Sequence, residues 1–194
     1  MSWKLVIRIV IISVLAVLLF GAATGCGEDL EPVVDWSDCS QKIGDHPCDF
    51  TLVDQNGKEF NLYDNHGKII IIDFSAMWCG PCALAALEVE EIQKKYGDKV
   101  VYVTILIENL NHNSPSKLDL KKWAKSFGIE SAPVLGGSRS LLSSDTSMGW
   151  PLTAWPTFFV IDENMILVES FRGFYAGLME SVIKNNLDSD TGVP

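Results

Sequence analysis

The chain has 194 residues, 15 basic against 25 acidic side chains, a formal charge of −10 and an apolar fraction of 47%. An acidic surface repels phosphates and anionic headgroups, which argues against nucleic-acid binding and against docking on lipid through surface charge. The length fits one domain with its own core.

At the N-terminus, Lys4 and Arg8 precede an uncharged apolar stretch, residues 9–23, followed by small residues and Cys26. This is the three-part layout of a secretory signal, so residues 1–25 are expected to be a lipoprotein-type signal peptide. Ala23-Thr24-Gly25-Cys26 resembles a bacterial lipobox, with Ala23 where leucine is usual. The resemblance implies that Cys26 is lipidated and becomes the mature N-terminus. The alternative is an uncleaved anchor over residues 5–25, since about 20 apolar residues can cross a bilayer. Either arrangement tethers the same domain outside the cytoplasm, and loss of Lys4 and Arg8 with the signal takes the charge to −12 over 169 residues. Residues 26–42 carry Glu28, Asp29, Glu31, Asp35 and Asp38 with Pro32 and read as a tether whose first part is solvated. A globular domain is expected over 43–187 and a tail over 188–194.

Within the domain, residues 50–53 and 60–62 bracket the turn Asp54-Gln55-Asn56-Gly57 and predict a hairpin. Residues 69–74 form a continuous apolar run broken by Asp73, the pattern of a buried strand. After Cys82, the spacing of Ala85, Val89, Ile92 and Tyr96 predicts a helix of about 15 residues that stops at Gly97. Residues 100–107 predict a second central strand, and 116–127 a helix ended by Gly128. Residues 108–154 are expected to decorate the active-site side, with Gly136-Gly137-Ser138-Arg139-Ser140 and Ser143-Ser144-Asp145-Thr146-Ser147 as loops. Residues 157–161 and 165–170 flank Asp162-Glu163-Asn164 as a hairpin, and 178–187 read as the last helix. The order predicts an α/β fold with a mixed central sheet, helices on both faces and an N-terminal hairpin extension.

Trp78-Cys79-Gly80-Pro81-Cys82 lies at the junction of the first central strand and its helix. Two cysteines two residues apart at a helix start can close a disulfide, and unsatisfied backbone N–H groups there favour a thiolate on the first, Cys79. Pro81 falls where the first turn needs no N–H, and Gly80 lets a partner chain approach. Asp73 in an apolar strand is expected to be desolvated and to hold its proton toward neutrality; the alternative is a strand end meeting solvent.

The segment 71–82 resembles the active-site segment of thioredoxins, including an acidic residue six positions before the first cysteine. Trp155-Pro156-Thr157 is similar to the cis-proline loop that faces the cysteine pair in that fold, and the order of elements over residues 43–187 resembles the membrane-tethered TlpA-like and ResA-like thiol-disulfide oxidoreductases of the AhpC/TSA-redoxin superfamily. The resemblance implies catalysis by Cys79 as nucleophile, Cys82 as resolving thiol and Asp73 as proton acceptor. Ala85 stands where TlpA-like proteins often carry a glutamate, and Asp73 is expected to take over its part. Trp78, Gly80, Pro81, Trp155 and Pro156 would line the groove for an extended peptide, although core packing remains open for Trp78; Gly173 would either leave room near the site or simply make a turn. The implied partners are protein disulfides, apocytochrome c among them, and a membrane thiol carrier that supplies electrons. Gly-Pro between the cysteines points to a reductant or isomerase. No cofactor or metal is implied.

Cys39 and Cys48 remain for a structural disulfide, with free thiols, a redox relay and a zinc site as alternatives. His46, His66 and His112 sit in polar surroundings, are expected to be solvated and receive no catalytic role; Trp36, Trp123 and Trp150 are expected to be structural. Two other functions compete. A peroxiredoxin-type peroxidase usually has threonine three residues before its cysteine, where Ala76 stands, and a Sco-type copper module separates its cysteines by three residues rather than two.

Overall fold

A computed structural model describes residues 36–142 and 149–189. The expected signal peptide and Cys26 lie outside the described residues, as does the loop 143–147.

Strands β1 (Thr51–Val53) and β2 (Glu59–Asn61) form the expected antiparallel hairpin. Asp54 closes its turn by accepting the N–H groups of Asn56 and Lys58 at 2.7 and 2.8 Å, and Gly57 supplies the required left-handed backbone at φ +88°. A second sheet is built from β3 (Ile69–Ala76), β4 (Val100–Glu108), β5 (Val134–Gly136), β6 (Thr157–Ile161) and β7 (Leu167–Arg172) in the order β5-β4-β3-β6-β7. β3, β4 and β5 run parallel while β6 and β7 join antiparallel, so the sheet is mixed. β3 and β4 are buried along their whole length, which is why each reads as a continuous apolar run and not as an alternation.

Helices α1 (Gly80–Ala86), α2 (Val89–Tyr96), α3 (Lys117–Phe127) and α4 (Leu178–Ser189) flank this sheet. Side chains of all four enter one core with Ile71, Tyr102, Leu106 and Phe158. The opposite face, with Ile72, Phe74, Ile105 and Phe159, is covered by Leu62, Trp150 and the hairpin residues Phe50, Leu52 and Phe60. The expectation of α-helices on both faces is corrected accordingly. Both parallel crossovers step in one direction, β3 to β4 to β5, and right-handed connections of that kind leave their helices on one side.

Three further differences from the sequence reading have local causes. The single 15-residue helix is two, because at Leu87 and Glu88 the backbone tightens to i→i−3 bonds, to Leu84 and Ala85 at 3.3 and 3.1 Å. The second hairpin strand begins at Leu167 rather than 165, since Met165 adopts φ +60° inside the turn. β5 has three residues, too few to show a period, and is stitched in by Gln55, which donates to Ala132 O at 3.0 Å and accepts from Val134 N at 2.8 Å. Residues 36–42, assigned to the tether, pack onto the domain. Trp36 stacks on His46 with centroids 4.8 Å apart and meets Tyr63 edge-on at 4.7 Å, and Cys39 is bonded to Cys48 with their Cα atoms 4.8 Å apart.

Candidate active site

Strand β3 delivers the chain to the cysteine pair. Its bulge at Ser75 and Ala76 ends the regular pairing, and Cys79 follows as the N-cap of α1 with extended backbone. Cys79 and Cys82 form a disulfide with Cα atoms 5.3 Å apart. Sγ of Cys79 also accepts the N–H of Cys82 at 3.2 Å, so a backbone donor already points at the sulfur that would carry a thiolate charge. Gly80 and Pro81 are exposed beside it, Pro81 within the first turn, and a Cβ at Gly80 would meet nothing within 4 Å. The cysteines are buried, Cys79 to 5% and Cys82 to 0% exposure.

Asp73 lies two strand positions before the bulge, fully enclosed. Strand alternation puts it on the face of Ile69 and Ile71, the face that packs against Cys82 and α1. Burial pushes its carboxyl up to about 7 from an ordinary 3.8, against opposing hydrogen bonds donated by Ser75 Oγ at 2.7 Å and Thr104 Oγ1 at 3.5 Å. A strand end meeting solvent is therefore not its environment. Tyr102, on the neighbouring strand and the same face, is raised by burial first and by the nearby Asp73 charge second.

Trp155 and Pro156 are joined by a cis peptide bond immediately before β6. Pro156 O accepts the N–H of Gly173 at 2.9 Å, and Gly173 takes φ +80° with open space where a Cβ would be, so the turn itself calls for glycine there. Trp155 meets Trp78 edge-on at 6.4 Å, and Trp78 is 39% exposed, which places it at the surface and not in the core.

Trp78 is held by a residue that sequence reasoning passed over. Its indole N–H donates to Glu108 Oε2 at 2.8 Å, and Glu108, at the end of β4, is 2% exposed. The same carboxylate accepts from Arg139 Nε and lies 3.2 Å from His112 Nδ1. Burial would raise the Glu108 carboxyl, but the Arg139, Trp78 and His112 bonds hold it below its ordinary value. His112 is exposed, as expected, yet its ring leans on Trp78 with centroids 5.2 Å apart and planes tilted by 40°, and its φ is +59°. A charged residue closing an apolar strand was the signal available for Glu108. His112 lies in a loop and Arg139 opens a four-residue 3₁₀ turn, where no period marks them.

A thioredoxin-type sheet carrying a cysteine pair at the β3–α1 junction and a cis-proline loop beside Trp78 defines the class. Residues 43–170 match the AhpC/TSA family, and the chain belongs to that family. It is similar to the thioredoxin-like protein YneN of Bacillus subtilis (strain 168), 25% identical over 130 residues that cover 67% of this chain and 71% of that protein. The thiol-disulfide oxidoreductase ResA of Geobacillus thermodenitrificans (strain NG80-2) is 27% identical over 147 residues, 76% of this chain and 77% of its own. Among solved structures, the pneumococcal exposed lipoprotein thioredoxin Etrx1 of Streptococcus pneumoniae strain TIGR4 superposes with a TM-score of 0.59 at 28% identity, covering 73% of this chain and 99% of its own. Family, fold and cysteine pair make this chain a thioredoxin-like oxidoreductase.

Proposed function

We propose that the chain is a membrane-tethered, extracytoplasmic thiol-disulfide oxidoreductase that reduces disulfides in exported proteins. The Cys79–Cys82 disulfide on the sheet face that also buries Asp73 is the observation that carries this reading. In the dithiol form, the Cys79 thiolate attacks a substrate disulfide and the mixed disulfide forms. Cys82 then gives its proton to Asp73, whose raised pKa lets it accept near neutrality, and attacks Cys79 to release the reduced substrate. Trp78, Trp155 and Pro156 flank the extended substrate, and Gly80 and Pro81 leave room for it. Electrons return from a membrane thiol carrier, and apocytochrome c is one fitting substrate. Lipid on Cys26 would tether the domain there, and Cys39–Cys48 fits the structural disulfide of an oxidising compartment.

Cys82→Ser tests the chemistry, because attack can proceed while resolution cannot; mixed disulfides on Cys79 should accumulate in cells, and their absence would overturn the mechanism. Equilibration with glutathione tests the direction: a reductant lies nearer thioredoxin, at about −270 mV, than DsbA, at about −120 mV, and a potential above about −150 mV would reverse the assignment. Cys26→Ser should abolish incorporation of a labelled fatty acid, whereas persistent labelling would dismiss Cys26 as the lipid site.

A further inference from the structure

Glu108 and His112 are arranged as an oriented acid–base pair, and the cysteine chemistry described so far uses neither. The Glu108 carboxylate is buried and can only accept, so His112 Nδ1, 3.2 Å from Oε2, carries the proton of that contact. This leaves Nε2 as the ring's second proton-exchanging atom. The imidazole edge is open, with 65% of the side chain exposed, and the ring leans at 40° against Trp78, the residue next to Cys79. His112 reaches this place through a left-handed backbone at φ +59°, uncommon for a residue with a Cβ. Arg139 holds the other carboxylate oxygen, so the charges set at the ring are Glu108 from β4 and, through it, Arg139 from the turn after β5.

We propose that His112, oriented by Glu108, is the general acid that protonates the substrate's leaving sulfur, a step that rests on the oxidoreductase reading above. The Cys79 thiolate donates its electron pair to one substrate sulfur, the substrate S–S bond breaks, and its pair leaves on the other sulfur. That thiolate takes the proton from Nε2 of the imidazolium, and water restores it to His112. This exchange replaces the substrate disulfide by a mixed disulfide; the two electrons of the net reduction come from the Cys79–Cys82 dithiol once Cys82 resolves it, and no further reactant is needed. The arrangement suits alkyl disulfides, such as those between protein cysteines, because an alkyl thiolate is a basic and therefore poor leaving group.

The test uses the full-length protein in detergent, reduced beforehand, in stopped-flow reaction with two disulfides. Oxidised glutathione releases an alkyl thiol, whereas 5,5′-dithiobis(2-nitrobenzoate) releases an acidic aromatic thiol that needs no acid. His112→Gly suits the left-handed backbone, so the fold is kept. The expected result is a loss of about 100-fold on oxidised glutathione and no more than about threefold on the aromatic disulfide, with added imidazole restoring part of the glutathione rate. Equal losses on both disulfides, or none on either, would overturn the proposal. Failure of the unsubstituted protein to react with either would instead overturn the oxidoreductase reading.

Discussion

Replacing Asp73 with asparagine keeps the shape of the side chain, removes its charge and separates two effects of one buried carboxyl. Its proton affinity in the folded protein is raised from 3.8 to about 7, roughly three units, which at about 1.36 kcal/mol each corresponds to a stability difference of order 4 kcal/mol. The sign follows from which state binds the proton more tightly. Between about pH 4 and 7 the folded protein keeps a proton that the unfolded chain has lost, so stability falls across that window and levels off above it. Asp73→Asn has no such proton to lose. Its advantage over the unsubstituted protein should therefore be small at pH 4, grow toward pH 7 and then stay constant. Urea melts of the oxidised protein, disulfides intact, between pH 4 and 9 would measure this directly. Single-turnover kinetics should show attack by Cys79 preserved and resolution slowed about 100-fold, the loss expected when a general base is removed. A stability difference independent of pH, or equal resolution rates, would refute the assignment.

Glu90 should behave in the opposite sense. Burial raises its carboxyl, but the N–H groups of Ser131 and Glu130, together with Lys94 and the Ser131 hydroxyl, bring it down to about 2, so its contribution is present above pH 4.5 and is lost as pH falls toward 2. Glu90→Gln should cost about 2–3 kcal/mol at pH 7 in denaturant melts, a deficit that shrinks on acidification. Replacing both Cys39 and Cys48 by serine opens a loop with a sequence separation of 9 and should cost about 2.6 kcal/mol by the chain-entropy relation, read as a lower melting temperature with dithiol activity retained. Gly137→Ala would bring a Cβ to 2.7 Å from Ile105 Cγ2 and 2.8 Å from Ile107 Cδ1, and the overpacking should lower stability by about 1–3 kcal/mol in the same melts.

What the sequence made legible was whatever a local pattern encodes. The apolar run from Ile69 announced β3, the helix read over 116–127 and ended by Gly128 is α3, with Gly128 at φ +66°, and the cysteine spacing located the disulfide. What stayed hidden depends on long-range pairing. β5 exists because it pairs with β4, about 30 residues earlier, and is braced by the Gln55 side chain, about 80 residues away, and a three-residue strand has no period of its own. Glu108 became a hub only when folding brought Trp78, His112 and Arg139 from three segments to one carboxylate, a convergence no spacing rule describes. The broken helix had its buried face right and its continuity wrong, since periodicity reports which side is covered and is blind to a change from i→i−4 to i→i−3 bonding.

Two enclosed carboxylates near one disulfide are driven in opposite directions, and the difference lies in their donors. Asp73 is offered only two hydroxyls, Ser75 and Thr104, so desolvation prevails and the group is suited to exchange a proton near neutrality. Glu108 is offered a guanidinium, an indole N–H and an imidazole, so it stays ionised and is suited to orient what it binds. Environments that separate two acids in this way assign them different work. Asp73 faces the side of the sheet that buries Cys82, where a thiol must lose its proton before it attacks. Glu108 holds Trp78, the residue before Cys79, and His112 against it, on the side where a substrate sulfur would gain one. On the proposed mechanism, proton removal from the resolving thiol and proton delivery to the leaving sulfur fall to separate residues. The two steps can then be slowed independently, by Asp73→Asn for resolution and by His112→Gly for the first attack on alkyl disulfides.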